Sequence, residues 1–140
     1  MTDTMTIEAA TSEDQLIAIE QLAETIWHQH YTPIIGQQQV LYMLDKFQSL
    51  PAMQQQISAQ GYEYFSILKN NQLAGYFAIQ MNQHQCFLSK LYVDSQYRGQ
   101  KLGRLGLNFI VDYAQKQQCK TIQLMEKENE STKHQTLSKL

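Results

Sequence analysis

Residues 88–111, LSKLYVDSQYRGQKLGRLGLNFIV, constrain the fold most, because two periodicities meet there across a glycine-bearing turn. Residues 86–93 read as an apolar strand and residues 94–97 as a short polar turn. Beyond Arg98-Gly99-Gln100-Lys101-Leu102-Gly103, apolar positions recur at Leu102, Leu105, Gly106, Phe109, Ile110 and Tyr113. Steps of three and one are the stripe of a buried helix face. A strand, a turn and a helix in that order put the first helical N–H groups at the strand's C-terminal end. Those groups have no partner within the helix, and the aligned peptide dipoles draw anions to them.

The side chains agree. Arg98, Lys101 and Arg104 put three positive charges into seven residues of a chain whose net charge is −2. Gly99 can take a positive φ, and Gly103 has no Cβ to keep a phosphate off the first helical turn. The segment reads as a pyrophosphate cradle. The competing reading is an ordinary strand-to-helix turn with a solvated basic face.

Size and charge narrow the classes. A chain of 140 residues is expected to form one domain, 1–140. No apolar run approaches the roughly 18–20 residues of a membrane span, and the N-terminus lacks a basic-then-apolar leader pattern. The expected location is the cytoplasm, with no membrane partner. A pI near 6.0 argues against nucleic acid, and the basic cluster is compact enough for one phosphorylated small molecule. Cys86 and Cys119 have no CxxC spacing and read as reduced packing residues. His28 and His30 are two apart, so they do not share a helix face, and no metal is expected.

Along the chain, residues 6–9 read as a strand, and Ser12 with Gln15 as a capping box opening a helix to about residue 30. That helix buries Leu16, Ile19, Leu22, Ala23, Ile26 and Trp27, and Pro33 and Gly36 are expected to break the chain. Helices over 37–47 and 51–60 follow, the second opened by Pro51 and stopped by Gly61. Strands 62–69 and 72–82 flank an Asn70-Asn71 turn, and a turn at 82–84 leads into the strand before the cradle. A strand at 121–125 and a helix at 129–139 close the chain.

The run Y-V-D-S-Q-Y-R-G-Q-K-L-G resembles the acetyl-CoA-binding motif of the GCN5-related N-acetyltransferase (GNAT) superfamily, Arg/Gln-x-x-Gly-x-Gly/Ala. Arg98 falls on its first position and Gly103 on its last, while Lys101 stands where the central glycine is usual. The order of elements is also similar as far as the last helix. The resemblance implies an α/β (α+β) fold with a mixed, mainly antiparallel sheet flanked by helices, here lacking the last two strands. It implies acetyl-CoA as cofactor, with the phosphates on the N–H groups of Arg98, Gly99, Gln100, Lys101, Leu102, Gly103 and Arg104. The pantetheine arm would lie along Leu91, Tyr92 and Val93, beside a bulge, with Asn129 opening the last helix against the cofactor.

Residues 27–49 resemble the acceptor region of the PaiA-like polyamine and small-amine group. Trp27, Tyr31 and Tyr42 would line an aromatic pocket for a cationic amine, with Asp45 as its counter-charge; the alternative is that these aromatics are core. The tyrosine that often protonates the leaving thiolate is Thr136 here, and Leu140 stands where a glycine is expected. No glutamate occurs on the central strand, and alternation would put Ser89, Leu91 and Val93 on one face with Lys90 and Tyr92 on the other. The sequence therefore names no catalytic residue. It points to an N-acetyltransferase for a small amine, or to a non-catalytic acyl-CoA-binding or assembly protein. Without the last hairpin, strand 121–125 would be an open edge, covered by the terminal helix or paired with a second copy in a homodimer; the alternative is a simple edge shielded by Glu126, Lys127 and Glu128.

Overall fold

The computed structural model describes residues 4–82, 84–128 and 131–139, with side chains as far as residue 123. Six strands form one sheet in sequence order: β1 (Met5–Ala9), β2 (Tyr62–Lys69), β3 (Gln72–Asn82), β4 (Gln85–Val93), β5 (Thr121–Glu128) and β6 (Ser131–Lys139). All neighbours run antiparallel except β4 and β5. The parallel step needs a crossover, which α4 (Leu102–Lys116) supplies. Helices α1 (Glu13–Ile35), α2 (Gln37–Met43) and α3 (Leu50–Gln60) precede β2.

Alternation along β2 and β3 divides the core into two layers. Tyr64, Tyr76 and Ala78 pack with Leu16, Ile19, Ile26 and Trp27 of α1 and Met53 of α3. Phe65, Ile67, Phe77 and Ile79 pack with Leu102, Ile110 and Ala114 of α4. The middle of the sheet, β2 to β4, therefore has both faces covered. Among the described residues no helix is long and apolar enough to cross a membrane.

Several local readings hold in detail. Ser12 and Gln15 form the capping box, Pro51 stands in the first turn of α3, and Gly61 ends it in the left-handed region. The cap of α3, Ser49, was not read from the sequence. Asn70 and Asn71 turn the β2–β3 hairpin with φ of 52° and 66°.

Pro33 does not break α1, which runs on to Ile35 and ends at Gly36, where φ is 87°. A single proline removes one helical hydrogen bond, and the helix's end is closed beyond it by the Gly36 N–H, which donates to Thr32 O (3.0 Å). The second helix widens into a π-helical turn, Leu44–Gln48, rather than staying regular to residue 47.

The larger correction is at the end. Residues 131–139 form β6, not a helix, and β6 pairs with β5 from Glu128↔Ser131 to Thr121↔Lys139. The segment STKHQTLSK has no helical apolar stripe and is rich in serine and threonine. Strand pairing satisfies the backbone edge that a helix would have left open. The edge of β5 is thus closed from within the chain, and an open β5 edge is no longer a reason for a dimer. Asn129 lies outside the described residues.

Candidate active site

The turn between β4 and α4 is built by short-range bonds. Asp94 Oδ1 accepts from the Gln96 N–H (3.3 Å) and Oδ2 from Gln96 Nε2 (3.2 Å). The Tyr97 N–H then bonds Asp94 O (2.9 Å) and the Arg98 N–H bonds Ser95 O (3.2 Å), closing one 3-10 turn. The amide of Arg98 is therefore spent inside the turn, and only its guanidinium is left to meet an anion, a correction to the cradle read from sequence. Gly99 follows with φ 80°, and Lys101 adopts the left-handed conformation, φ 65° and ψ 21°.

Lys101 is the N-cap of α4 and makes no side-chain cap bond. Its carbonyl accepts the helix's first bond, from Leu105 N–H (3.0 Å). The N–H groups of Leu102, Gly103 and Arg104 precede that bond and point out of the helix end. A cleft of about 410 Å³ lies there, lined by Val93, Tyr97, Arg98, Gly99, Lys101, Leu102, Gly103 and Arg104. Arg98, Gly99, Lys101 and Arg104 are exposed, while Leu102 is buried and anchors the turn in the core. Gln100 sits half-buried between them with Oε1 unpaired.

The cleft continues into a gap in the sheet. β4 pairs with β5 only from Gln85↔Thr121 to Leu88↔Leu124. Beyond Leu88, β4 keeps its pairing with β3, where Leu91, Tyr92 and Val93 oppose Phe77, Tyr76 and Gly75. In an antiparallel pair alternate residues turn their backbone groups away from the partner, so residues 89–93 present such groups toward the gap.

A bulge marks the start of the gap. Ala78 opposes Lys90 and Ile79 opposes Leu88, leaving Ser89 as the extra residue. Ser89 therefore does not share a face with Leu91 and Val93, which pack toward α4. Its hydroxyl instead meets that of Tyr62 at 3.2 Å, on the α1–α3 side that Lys90 and Tyr92 also face. Strand alternation alone could not reveal this, because a bulge leaves no pattern in one sequence.

Lys90 is 7 % exposed. Its ammonium donates to Tyr64 Oη, to Phe47 O in the π-helical turn and to Gln56 Oε1 (3.2 Å). Tyr64 Oη–H donates to Gln56 Oε1 (2.6 Å) and Gln56 Nε2 to Phe47 O (3.1 Å). Beside them Tyr76 Oη–H donates to buried Gln48 (2.8 Å). Burial, with nearby phenols adding to it, pushes the Tyr64, Tyr76 and Tyr92 hydroxyls well above the usual phenol range, so they stay protonated.

The four residues proposed from sequence for the acceptor do not converge. Trp27 is 6 % exposed in the α1 core, against Tyr31 (4.4 Å) and Tyr92 (6.1 Å). Its Nε1 is buried without a sound hydrogen bond, although it lies near enough to Tyr76 to favour that phenol's ionised form slightly. Tyr42 is 54 % exposed, with its hydroxyl accepting from Lys46 Nζ (3.3 Å), and Asp45 is exposed. Core packing thus accounts for Trp27, while Tyr42 on α2 and Asp45 in the widened turn are both exposed to solvent. A second cleft, about 300 Å³, lies instead between α1 and the cradle, lined by Ile26, Gln29, His30, Ser95 and Arg98. Ser95 Oγ donates to Gln29 Oε1 across it (3.0 Å).

Residues 19–134 match the acetyltransferase (GNAT) family. No curated protein matches the chain significantly. Among solved structures, the PaiA N-acetyltransferase from Thermoplasma acidophilum in complex with coenzyme A superposes with a TM-score of 0.78 at 16% identity, covering 91% of this chain and 82% of that one. The ribosomal-protein-S18-alanine N-acetyltransferase from Escherichia coli gives 0.66 at 20% identity, covering 90% and 69%. A GNAT-family acetyltransferase from Staphylococcus aureus gives 0.67 at 16%, covering 88% and 74%. At these identities the likeness speaks for the fold, while the sequence match spans most of the chain. With a strand-to-helix cradle and a sheet that parts beside it, this chain belongs to the acetyltransferase (GNAT) family.

Proposed function

We propose that this protein is an acetyl-CoA-dependent N-acetyltransferase that moves an acetyl group to the primary amine of a small molecule, polyamine-like or another amine. The observation that carries this reading is the cationic cleft at the α4 N-terminus, opening onto the gap between β4 and β5. A Cβ added at Gly103 would meet no protein atom within 4 Å, yet that position lines the cleft. Its bareness therefore suits a bound diphosphate better than protein packing. The N–H groups of Leu102, Gly103 and Arg104 would hold the phosphates, with Arg98, Lys101 and Arg104 adding charge. Gly99 and Gln100 would shape the turn, and the backbone of Leu91, Tyr92 and Val93 would bind the pantetheine arm. Bound acetyl-CoA supplies the activated acyl carbon; the protein holds it in line with an amine and shields the site from water.

The acceptor would approach from the α1 side, where the second cleft meets Arg98. Calorimetry with acetyl-CoA tests the reading: binding at submillimolar ligand is expected, weakened about tenfold in Gly103→Ala, whose methyl group would intrude on a phosphate. No binding by the native protein would remove it. A second reading is a non-catalytic acyl-CoA-binding or assembly protein: Thr136, expected on a last helix where a tyrosine is usual, lies on β6 opposite Gln123, so no residue is assigned to that tyrosine's part. Thiol release above background with a panel of polyamines and aryl-amines would eliminate it. We read residues 1–140 as a single domain in the cytoplasm. The homodimer now rests on β6 as the strand at that end of the sheet, and a monomer by light scattering would discard it.

A further inference from the structure

We propose that the Tyr62–Ser89 hydroxyl pair is the proton donor to the sulfur that leaves when the acetyl group is transferred. The inference rests on acetyl-CoA occupying the cradle and the gap. Three observations on different elements converge on the pair. Leu88↔Leu124 is the last pairing between β4 and β5, so Ser89 is the first residue at the apex of the gap. The bulge turns Ser89 out of register, which brings its hydroxyl to the α1–α3 side of the sheet. Tyr62, on β2, reaches across β3 to meet it at 3.2 Å, and both side chains are half-buried.

Reach and rigidity agree. Four strand residues, roughly 13 Å, separate Ser89 from Val93 at the cradle, a span an extended pantetheine arm covers from the diphosphate. The Tyr62 ring stacks on Tyr64 (6.5 Å, 29°), and Tyr64 is pinned by Lys90 and Gln56. A hydroxyl held in this way offers a fixed hydrogen bond, and a proton, to charge developing on the sulfur.

In the step itself the amine nitrogen forms its bond to the acyl carbon and loses a proton to solvent. The C–S bond breaks, and its electron pair stays on sulfur. Ser89 passes its proton to that sulfur and takes the proton of Tyr62, and water restores the phenol. No oxidant or further reactant enters.

The test needs no acceptor amine. Coenzyme A is bound to native protein, Tyr62→Phe and Ser89→Ala, and its thiol is titrated by the ultraviolet absorbance of the thiolate. A donor at the sulfur stabilises the thiolate, so the native complex should ionise coenzyme A about tenfold more readily than either variant does. Affinity for coenzyme A, measured by calorimetry, should be unchanged in both. Equal thiol titration in native protein and variants would overturn the inference while leaving the cradle intact. Loss of affinity in both variants would overturn it too, by making the pair structural. Failure of the native protein to bind coenzyme A would remove the cradle itself.

Discussion

Lys101 shows how one residue carries two opposed roles. Its backbone is left-handed (φ 65°), a conformation that costs a side chain roughly 1–2 kcal/mol and glycine almost nothing. That explains in physical terms why the acetyltransferase motif favours glycine there, a reason that the bare residue pattern did not contain. Lys101→Gly should therefore raise stability by about 1 kcal/mol in denaturant unfolding. The same change removes an exposed charge from the cleft, so coenzyme A should bind more weakly, with a shallower salt dependence. Weaker folding or unchanged binding would contradict the assignment. The neighbouring Arg98 makes a related point: its charge was visible in the sequence, but only the 3-10 turn shows that its amide is already engaged.

Among the elements, the π-helical turn Leu44–Gln48 depends most on tertiary contacts. The last carbonyls of such a turn have no partner within the helix, and Lys90 on β4 and Gln56 on α3 provide donors. Phe47 O accepts from Lys90 and Gln56, while the Gln48 side chain accepts from Tyr76. Lys90→Ala should cost about 3 kcal/mol, because it opens a cavity and strips the Tyr64 and Phe47 oxygens of a donor. Lys90→Met keeps the stem's volume and escapes the desolvation of a buried ammonium, so it should cost less than half as much. Equal losses in urea unfolding would mean that packing plays no part. Strand β4 makes the complementary case: its existence and its apolar face were legible in the sequence, whereas its bulge follows from register against β3.

For the whole molecule, alkaline pH should be the sensitive direction. Burial, with the neighbouring Cys119 and Glu63 charges adding to it, pushes the Cys86 thiol from 9.0 up to about 12. Tyr113 rises from 10.0 to about 12 through burial and its hydrogen bond to Glu63. Both groups are raised in the folded state, so above about pH 9 the unfolded chain binds fewer protons than the native one. Stability is full below the unfolded values and falls as pH rises toward 12, by up to about 1.4 kcal/mol per pH unit for Cys86 alone. Melting temperature followed upward from neutral pH should turn down near pH 9, and Cys86→Ala should flatten that limb. A flat native profile would show that the thiol is not held neutral by the fold.

The sequence by itself determined the local elements whose signals are local: the capping box at Ser12, the Asn70-Asn71 hairpin, the stripe of α4 and the basic turn before it. These depend on residues within a few positions of one another, and one chain displays them in order. Tertiary structure decided the rest. Residues 131–139 became a strand because β5 offered an edge, and Trp27 became core because Tyr31 and Tyr92 enclose it. Ser89 met Tyr62 because a bulge in one strand lay opposite the reach of a ring two strands away. Each of these outcomes is a competition among partners distant in sequence, and spacing along a single chain carries no record of which partner wins.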